Sequence, residues 1–146
     1  MPDKETLERA KKDKREGKSA STQAGEFVRE EIEHVREGKH GARSAKQVIA
    51  IGLSKARRAG VKLPPPKNAS EETQEQAARE TRKGRSAGKR KVSAKRSRAA
   101  KRKLKREGHS AASKTALSRH ARSAAAKRSA ASRSRSAKKA AATRKK

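Results

Sequence analysis

The residues with most chemistry to offer in this sequence are cations. From Thr81 to Lys146 the chain carries 26 Lys and Arg against one acid, Glu107, a net +25 of the whole chain's +29. Arg82, Lys83, Arg85, Lys89, Arg90, Lys91, Lys95, Arg96, Arg98, Lys101, Arg102, Lys103, Lys105 and Arg106 make up the denser half. Lys114, Arg119, Arg122, Lys127, Arg128, Arg133, Arg135, Lys138, Lys139, Arg144, Lys145 and Lys146 make up a sparser, Ala-rich half. What ammonium and guanidinium groups in such number do is contact phosphate. Duplex DNA presents one phosphate charge per roughly 1.7 Å of axis, so 25 positive charges match about 12 base pairs.

Other chemistries lack their parts. Phe27 is the only aromatic residue, so the base stacking used by readers of single strands has no side chains to draw on. A low-complexity tail offers no fixed set of bidentate base contacts, which leaves the duplex backbone as the best-fitting partner and structured RNA as the alternative. With three bulky apolar residues, Val92, Leu104 and Leu117, the tail has nothing to insert into a bilayer. His34, His40, His109 and His120 are the only histidines, no two of them four apart, and no Cys or cluster of Asp completes a metal site. Each is expected to be an ordinary polar residue. No glycine spacing matches a phosphate-cradling loop, and the Glu pairs lie on exposed faces. Neither catalysis, a small-molecule substrate, a cofactor nor a metal is expected.

The elements that carry these cations divide the chain in three. Residues 2–66 hold eleven bulky apolar residues, enough for a small helical module. Residues 67–80 form an acidic linker or short helix, and residues 81–146 the basic tail. The fold class is mostly α: a three-helix module followed by a disordered or conditionally helical tail. So polar a tail cannot offset the backbone ordering entropy of about 1–2 kcal/mol per residue by burial. Its Ala, Lys and Arg are nevertheless good helix formers, so helix coupled to charge neutralisation follows, with Val92, Ala99, Ala100 and Leu104 on a thin stripe.

Within the module, residues 3–16 suit a weakly anchored helix, with Asp3 as N-cap and Leu7 and Ala10 inward. A second helix starts near Ser21 or Thr22 and ends at Gly38, its core face being Ala24, Phe27, Val28, Ile32 and Val35. Its other faces hold Glu26, Glu30, Glu31, Glu33 and Glu37, a solvated surface paired locally with Arg29 and Arg36, or a docking face for a basic partner. A third helix runs from the capping box Ser44-Ala45-Lys46-Gln47 to Gly60. Ala45, Val48, Ile49, Gly52, Leu53 and Ala56 share its inner face, and Gly52 implies close approach of another helix. The stripe through Val48, Ile49, Leu53 and Ala56 is hard to bury in so small a unit, which suggests a homodimer. Arg15-Glu16-Gly17-Lys18, Arg36-Glu37-Gly38-Lys39 and Arg106-Glu107-Gly108-His109 repeat one helix-closing pattern, with glycine in the left-handed C′ position. Helix breaks are expected near Gly84, Gly88 and Gly108. Pro64, Pro65 and Pro66 stop the third helix, with Val61 and Leu63 folding back on the module. The stretch after Ser70 suits a marginal helix to Arg82, held by caps and charge pairs.

The run from Arg15 to Pro66 resembles a family of short bacterial proteins of unknown function, through its REGK closures, the QVIAIGLSKARRAG segment and the terminal prolines. That resemblance implies no established activity. The tail separately resembles those of linker histones and histone-like bacterial proteins. It departs from them in having no Pro after residue 66 and abundant Arg. The expected function is that of a histone-like protein binding and compacting duplex DNA without sequence preference. The other readings are a ribosome- or RNA-associated protein, or an adaptor whose module holds a protein partner. No apolar run approaches the roughly 18 residues of a membrane span, and the N-terminus lacks a signal peptide's apolar stretch. Together with the absence of Cys, this places the expected site of action in the cytoplasm, at the nucleoid.

Overall fold

The computed structural model describes residues 2–65, 69–86 and 93–144. Among these there are seven α-helices: α1 (Lys4–Arg15), α2 (Ala20–Arg36), α3 (Ala45–Arg58), α4 (Glu71–Arg85), α5 (Ala94–Arg106), α6 (Lys114–Ala126) and α7 (Ala130–Arg144). A single 3-10 turn, Ser110–Ala112, lies between α5 and α6, and no strand occurs among the described residues.

Helices α1, α2 and α3 form the expected module around Ala10, Ala24, Phe27, Ala56 and Val61, with Leu7, Leu53 and Leu63 packed against them. Helices α2 and α3 cross closely at Gly52, where a Cβ would stand 2.6 Å from Val28 Cα. That backbone-to-backbone approach is the reason for a glycine inside α3. Helix α2 starts earlier than its Ser and Thr residues suggest, at Ala20. Ser19 caps it by accepting from Thr22 N–H at 3.3 Å, and the Gln23 amide donates back to the Lys18 carbonyl. Ser44 caps α3 as expected, but the Gln47 side chain reaches Arg43 N–H at 2.8 Å instead of closing the box on Ser44. Gly17, Gly38 and Gly60 follow their helices with φ of 70°, 75° and 95°, the left-handed geometry that favours glycine.

After α3 the chain folds back as expected. Val61 is buried, and Arg57 Nε donates to the Leu63 carbonyl at 3.2 Å. Pro66 lies outside the described residues. Helix α4 is more firmly placed than its lack of large apolar residues suggests, because it packs on α3 through Ala77 and a buried carboxylate, Glu80. Arg57 Nη1 donates to Glu80 Oε2 at 3.4 Å, while Ser54 Oγ and Gln76 Nε2 donate to Oε1. The break expected near Gly84 falls one residue beyond it, since α4 ends at Arg85; Gly84 itself lies inside the helix, where a Cβ would stand 2.2 Å from the Arg57 carbonyl oxygen. Gly88 falls outside the described residues.

Of the two states expected for the tail, residues 93–144 show the helical one. Serines start these helices: the Oγ atoms of Ser93, Ser113 and Ser129 accept from the N–H groups of Arg96, Ala116 and Ser132. Ala99 and Ala100 are exposed and Leu104 is half-buried, so the expected stripe is not a common inward face; Val92 lies outside the described residues. The tail also returns to the module. Ala111 and Ala112 join Val35, Ala42 and Val48 in a second apolar cluster. Gly41 N–H donates to the Leu104 carbonyl, Ala42 N–H to the Gly108 carbonyl and Arg36 Nε to the Ala112 carbonyl, each at 2.9 Å. This docking overrides the third copy of the closing pattern. Gly108 is not left-handed, and α5 ends instead on an extended Glu107 (φ −77°, ψ 150°) that carries the chain across Gly41. The stripe that suggested a dimer is largely covered by the chain itself, Val48 and Ala56 being buried and Ile49 and Leu53 half-buried.

Candidate nucleic-acid interface

The structure sets out the tail cations on successive helices. Lys95, Arg96, Arg98, Lys101, Arg102, Lys103, Lys105 and Arg106 are all exposed on α5. Lys114, Arg119 and Arg122 are exposed on α6, Lys127 and Arg128 between α6 and α7, and Arg133, Arg135, Lys138, Lys139 and Arg144 on α7. Arg82, Lys83 and Arg85 are exposed on the last turn of α4, while Lys89, Arg90, Lys91, Lys145 and Lys146 lie outside the described residues. The 13 residues of α5 extend about 20 Å at 1.5 Å per residue. Their eight cations therefore face the charge of about 12 phosphates on an equal length of duplex.

These cations differ from those of the module in their partners. The tail's one acid, Glu107, lies 3.8 Å from Arg43 of the module. Among the described residues, no cation of α5, α6 or α7 is paired with a carboxylate. Arg128 instead donates to the hydroxyls of Ser132 and Ser136. The module adds to the cationic surface beside α6. There Arg43 and Lys46 line a shallow groove of about 410 Å³ with Arg119 and His120 of α6.

The acidic residues of α2 divide: Glu33 and Glu37 are exposed, Glu33 with the local Arg29 partner expected for it, whereas Glu30 and Glu31 are buried. Glu26 accepts from Arg9 Nε at 2.7 Å, and Glu33 from Arg29 Nε at 3.1 Å. Glu37 pairs with Lys39 at 2.9 Å. Glu30 and Glu31 are buried where α1 and α3 close over α2, at 3% and 1% exposure. Glu30 is fully answered: Lys55 Nζ donates to Oε1 at 2.8 Å and the Asp3 N–H to Oε2 at 3.1 Å. Burial pushes the Glu30 carboxyl up, but the hydrogen bonds from Lys55, Thr6 and Asp3 outweigh it and hold the group below its ordinary value. Burial likewise works against the charge on Lys55, and the two carboxylates outweigh it and raise its pKa.

Beside this pair the structure gathers residues that the sequence left apart. Glu31, His34 and His40 each place one ligand atom within 4.8 Å of the others'. Glu31 and His34 are three apart, hence on one face of α2. The turn at Gly38 brings His40 back over the same face, 3.2 Å from Glu31 Oε2 through Nε2. The Glu-x-x-His step was visible in the sequence; the return of His40 depends on how the helix ends.

Comparison with known proteins adds one finding to this geometry. Residues 11–67 match the model of a family of unknown function (DUF6496). Over those residues the module is similar to that family. The match ends within a residue of the proline run, so α4 and the basic helices lie beyond the family segment. Comparison with curated proteins gives no match, and comparison with solved structures gives none either.

Proposed function

We propose that the chain is a histone-like protein that binds duplex DNA without sequence preference and compacts or bridges it at the nucleoid, in a non-enzymatic role. The observation that carries this reading is the run of exposed cations on α5, α6 and α7 with no carboxylate partners among the described residues. Such groups release the counterions condensed on a duplex when they meet phosphate, and that release supplies nonspecific affinity. Phe27 is buried in the module at 1% exposure, so the chain presents no Phe, Tyr or Trp ring on which to stack a base. Among the described residues, no helix is long and apolar enough to cross a membrane. The family segment then serves as the platform on which the 3-10 turn anchors the cationic helices.

The test is the salt dependence of binding to a duplex, with structured RNA as competitor. The full chain is compared with a variant carrying Lys101→Gln, Arg102→Gln, Lys103→Gln and Lys105→Gln. All four residues are exposed on α5, and the change leaves the docking contacts in place. If all four contact phosphate, the slope of log K against log salt becomes shallower by about 3.6, at about 0.9 per contact. An unchanged slope removes α5 from the interface. Preference for RNA over DNA replaces the nucleoid reading with that of an RNA-associated protein.

A further inference from the structure

We infer that Glu31, His34 and His40 bind one divalent transition-metal ion of the Zn²⁺ class, held between the C-terminal turn of α2 and the loop that follows it. The argument begins with the far sides of the two rings. His34 Nε2 lies 3.2 Å from Asp3 Oδ2, and His40 Nδ1 lies 3.0 Å from the Gly41 carbonyl oxygen. A carboxylate and a carbonyl can only accept, so each of those nitrogens carries the proton. In the neutral rings the remaining nitrogens, His34 Nδ1 and His40 Nε2, then present lone pairs. Both point at Glu31, at 3.4 Å from Oε1 and 3.2 Å from Oε2. Glu31 is itself an acceptor, 1% exposed; Lys55 Nζ meets its Oε1 as an ion pair, and Oε2 receives no hydrogen bond. The two imidazole lone pairs and the carboxylate thus converge while Lys55 answers only Oε1, an arrangement that a cation at Oε2 resolves.

The separations suit a metal. Bonds of about 2.0–2.1 Å in a tetrahedral site place neighbouring ligand atoms about 3.3–3.4 Å apart, whereas charge-assisted N–H···O bonds are about 2.7–2.9 Å. The 3.2 Å between His40 Nε2 and Glu31 Oε2 lies nearer the first spacing. Both rings also have the outer partners that orient metal-bound imidazoles, a carboxylate for one and a backbone carbonyl for the other. Charge agrees as well: Asp3, Glu30 and Glu31 surround a single ammonium, that of Lys55, leaving two negative charges for a dication. Lys55 lies against Glu31 Oε1 as an ion pair outside hydrogen-bonding geometry, so Oε2 is the free carboxylate ligand. The neighbouring trio of Asp3, Glu30 and His34 is the poorer site, since Lys55 and the Asp3 N–H already occupy Glu30. Two nitrogens and one oxygen leave at least one position for water. A set of two imidazoles and one carboxylate, borderline donors, selects Zn²⁺ or Co²⁺ over Mg²⁺ or Ca²⁺.

The test uses the full chain, purified at high salt to strip nucleic acid, dialysed against chelator and titrated with Co²⁺ and then Zn²⁺. One equivalent of Co²⁺ is expected, with visible absorption bands that Zn²⁺ abolishes. The proton spectrum of the Co²⁺ form should show two exchangeable, paramagnetically shifted signals, from His34 Nε2–H and His40 Nδ1–H. His40→Ala should abolish stoichiometric uptake, and Asp3→Asn should weaken it by about tenfold or more. His109→Ala with His120→Ala should change nothing. Uptake that survives both His34→Ala and His40→Ala, or that disappears with the tail histidines, overturns the site. So does a metal-free spectrum with both rings doubly protonated at neutral pH, which would make the cluster a set of ion pairs. If a variant loses helical circular dichroism, the shifted proton signals of the unsubstituted protein decide: fewer than two refutes the assignment.

Discussion

Replacing Gly41 by Ala tests whether the basic helices are anchored to the module. A Cβ at this position would lie 1.8 Å from the Glu107 carbonyl oxygen and 2.4 Å from its carbon. Both are backbone atoms, so no side-chain rotation relieves the clash. Gly41 does not have a left-handed backbone, and in the absence of Glu107 an alanine would be tolerated there. By restricting the unfolded chain it would even stabilise the protein by about 0.4–1 kcal/mol. The sign of the effect therefore depends on the docking alone. With the tail seated, the overlap costs about 1–3 kcal/mol, the usual range for overpacking, and the 3-10 turn lifts away. Three hydrogen bonds go with it, those from Gly41, Ala42 and Arg36 to the Leu104, Gly108 and Ala112 carbonyls.

Amide hydrogen exchange measures this directly, since the N–H groups of residues 41 and 42 donate only to the tail. A penalty of 1–3 kcal/mol raises their exchange by about 5- to 150-fold, at tenfold per 1.4 kcal/mol. Amides inside α3, such as that of Ala56, should keep their protection. Unchanged exchange at residue 42, or a higher melting temperature, would show that the tail does not sit on Gly41.

Gly52→Ala should likewise destabilise the protein, by about 1–3 kcal/mol, although the same change on an exposed helix gains about 1 kcal/mol. Its Cβ would stand 2.6 Å from Val28 Cα, and denaturant melts report the sign. Glu80→Ala leaves Arg57 buried without its carboxylate and should cost about 3 kcal/mol, the low end for a broken buried pair because Arg57 keeps the Leu63 carbonyl. Proteolysis within α4 should rise with it, and unchanged cleavage would count against packing of α4 on α3. Acid should weaken the fold. The lowered carboxyl of Glu30 contributes stability that is present above its ordinary value of 4.5 and lost as pH falls through the folded value. Lys55, raised above 10.5, contributes stability that is lost only as pH climbs past that value. Melting temperature should therefore be flat near neutrality and fall on both sides, and Glu30→Gln should blunt the acid limb.

The helices were legible in the sequence wherever one local signal sufficed: the period of Phe27, Val28, Ile32 and Val35, the Ser44 cap, the proline stop and the glycine inside α3. What could not be seen was the tertiary use of residues whose local character points outward. Glu30, Glu31 and Glu80 look like surface carboxylates on their helices, and burial becomes tolerable only where Lys55 or Arg57 arrives from a neighbouring helix. Ala111 and Ala112 are too small to announce a core. They matter because Val35, Ala42 and Val48 receive them, where Gly41 lets the Glu107 backbone pass close by. The grouping of His40 with Glu31 depends on the left-handed turn at Gly38, which folds the chain back without leaving any spacing to read.

The same internal pairing bears on the proposed function. A chain with carboxylates on one segment and a polycation on another can neutralise itself, and every tail cation held that way must be released before it can meet DNA. Here the module's acids are committed to its own cations: Glu26 to Arg9, Glu30 to Lys55, Glu33 to Arg29, Glu37 to Lys39, Asp13 to Lys18 and Glu80 to Arg57. The tail is held instead by three hydrogen bonds, by alanine methyl groups and by the approach of Glu107 to Arg43, none of which uses a Lys or Arg of the tail itself. Anchoring and phosphate contact therefore draw on different groups. On the proposed reading, Gly41→Ala should release the tail and leave the salt slope of DNA binding unchanged, whereas neutralising α5 should flatten the slope and leave exchange at Ala42 unchanged. If Gly41→Ala altered the slope, the position of the helices and not only their charge would set the phosphate contacts, and binding would depend on a fixed cationic surface.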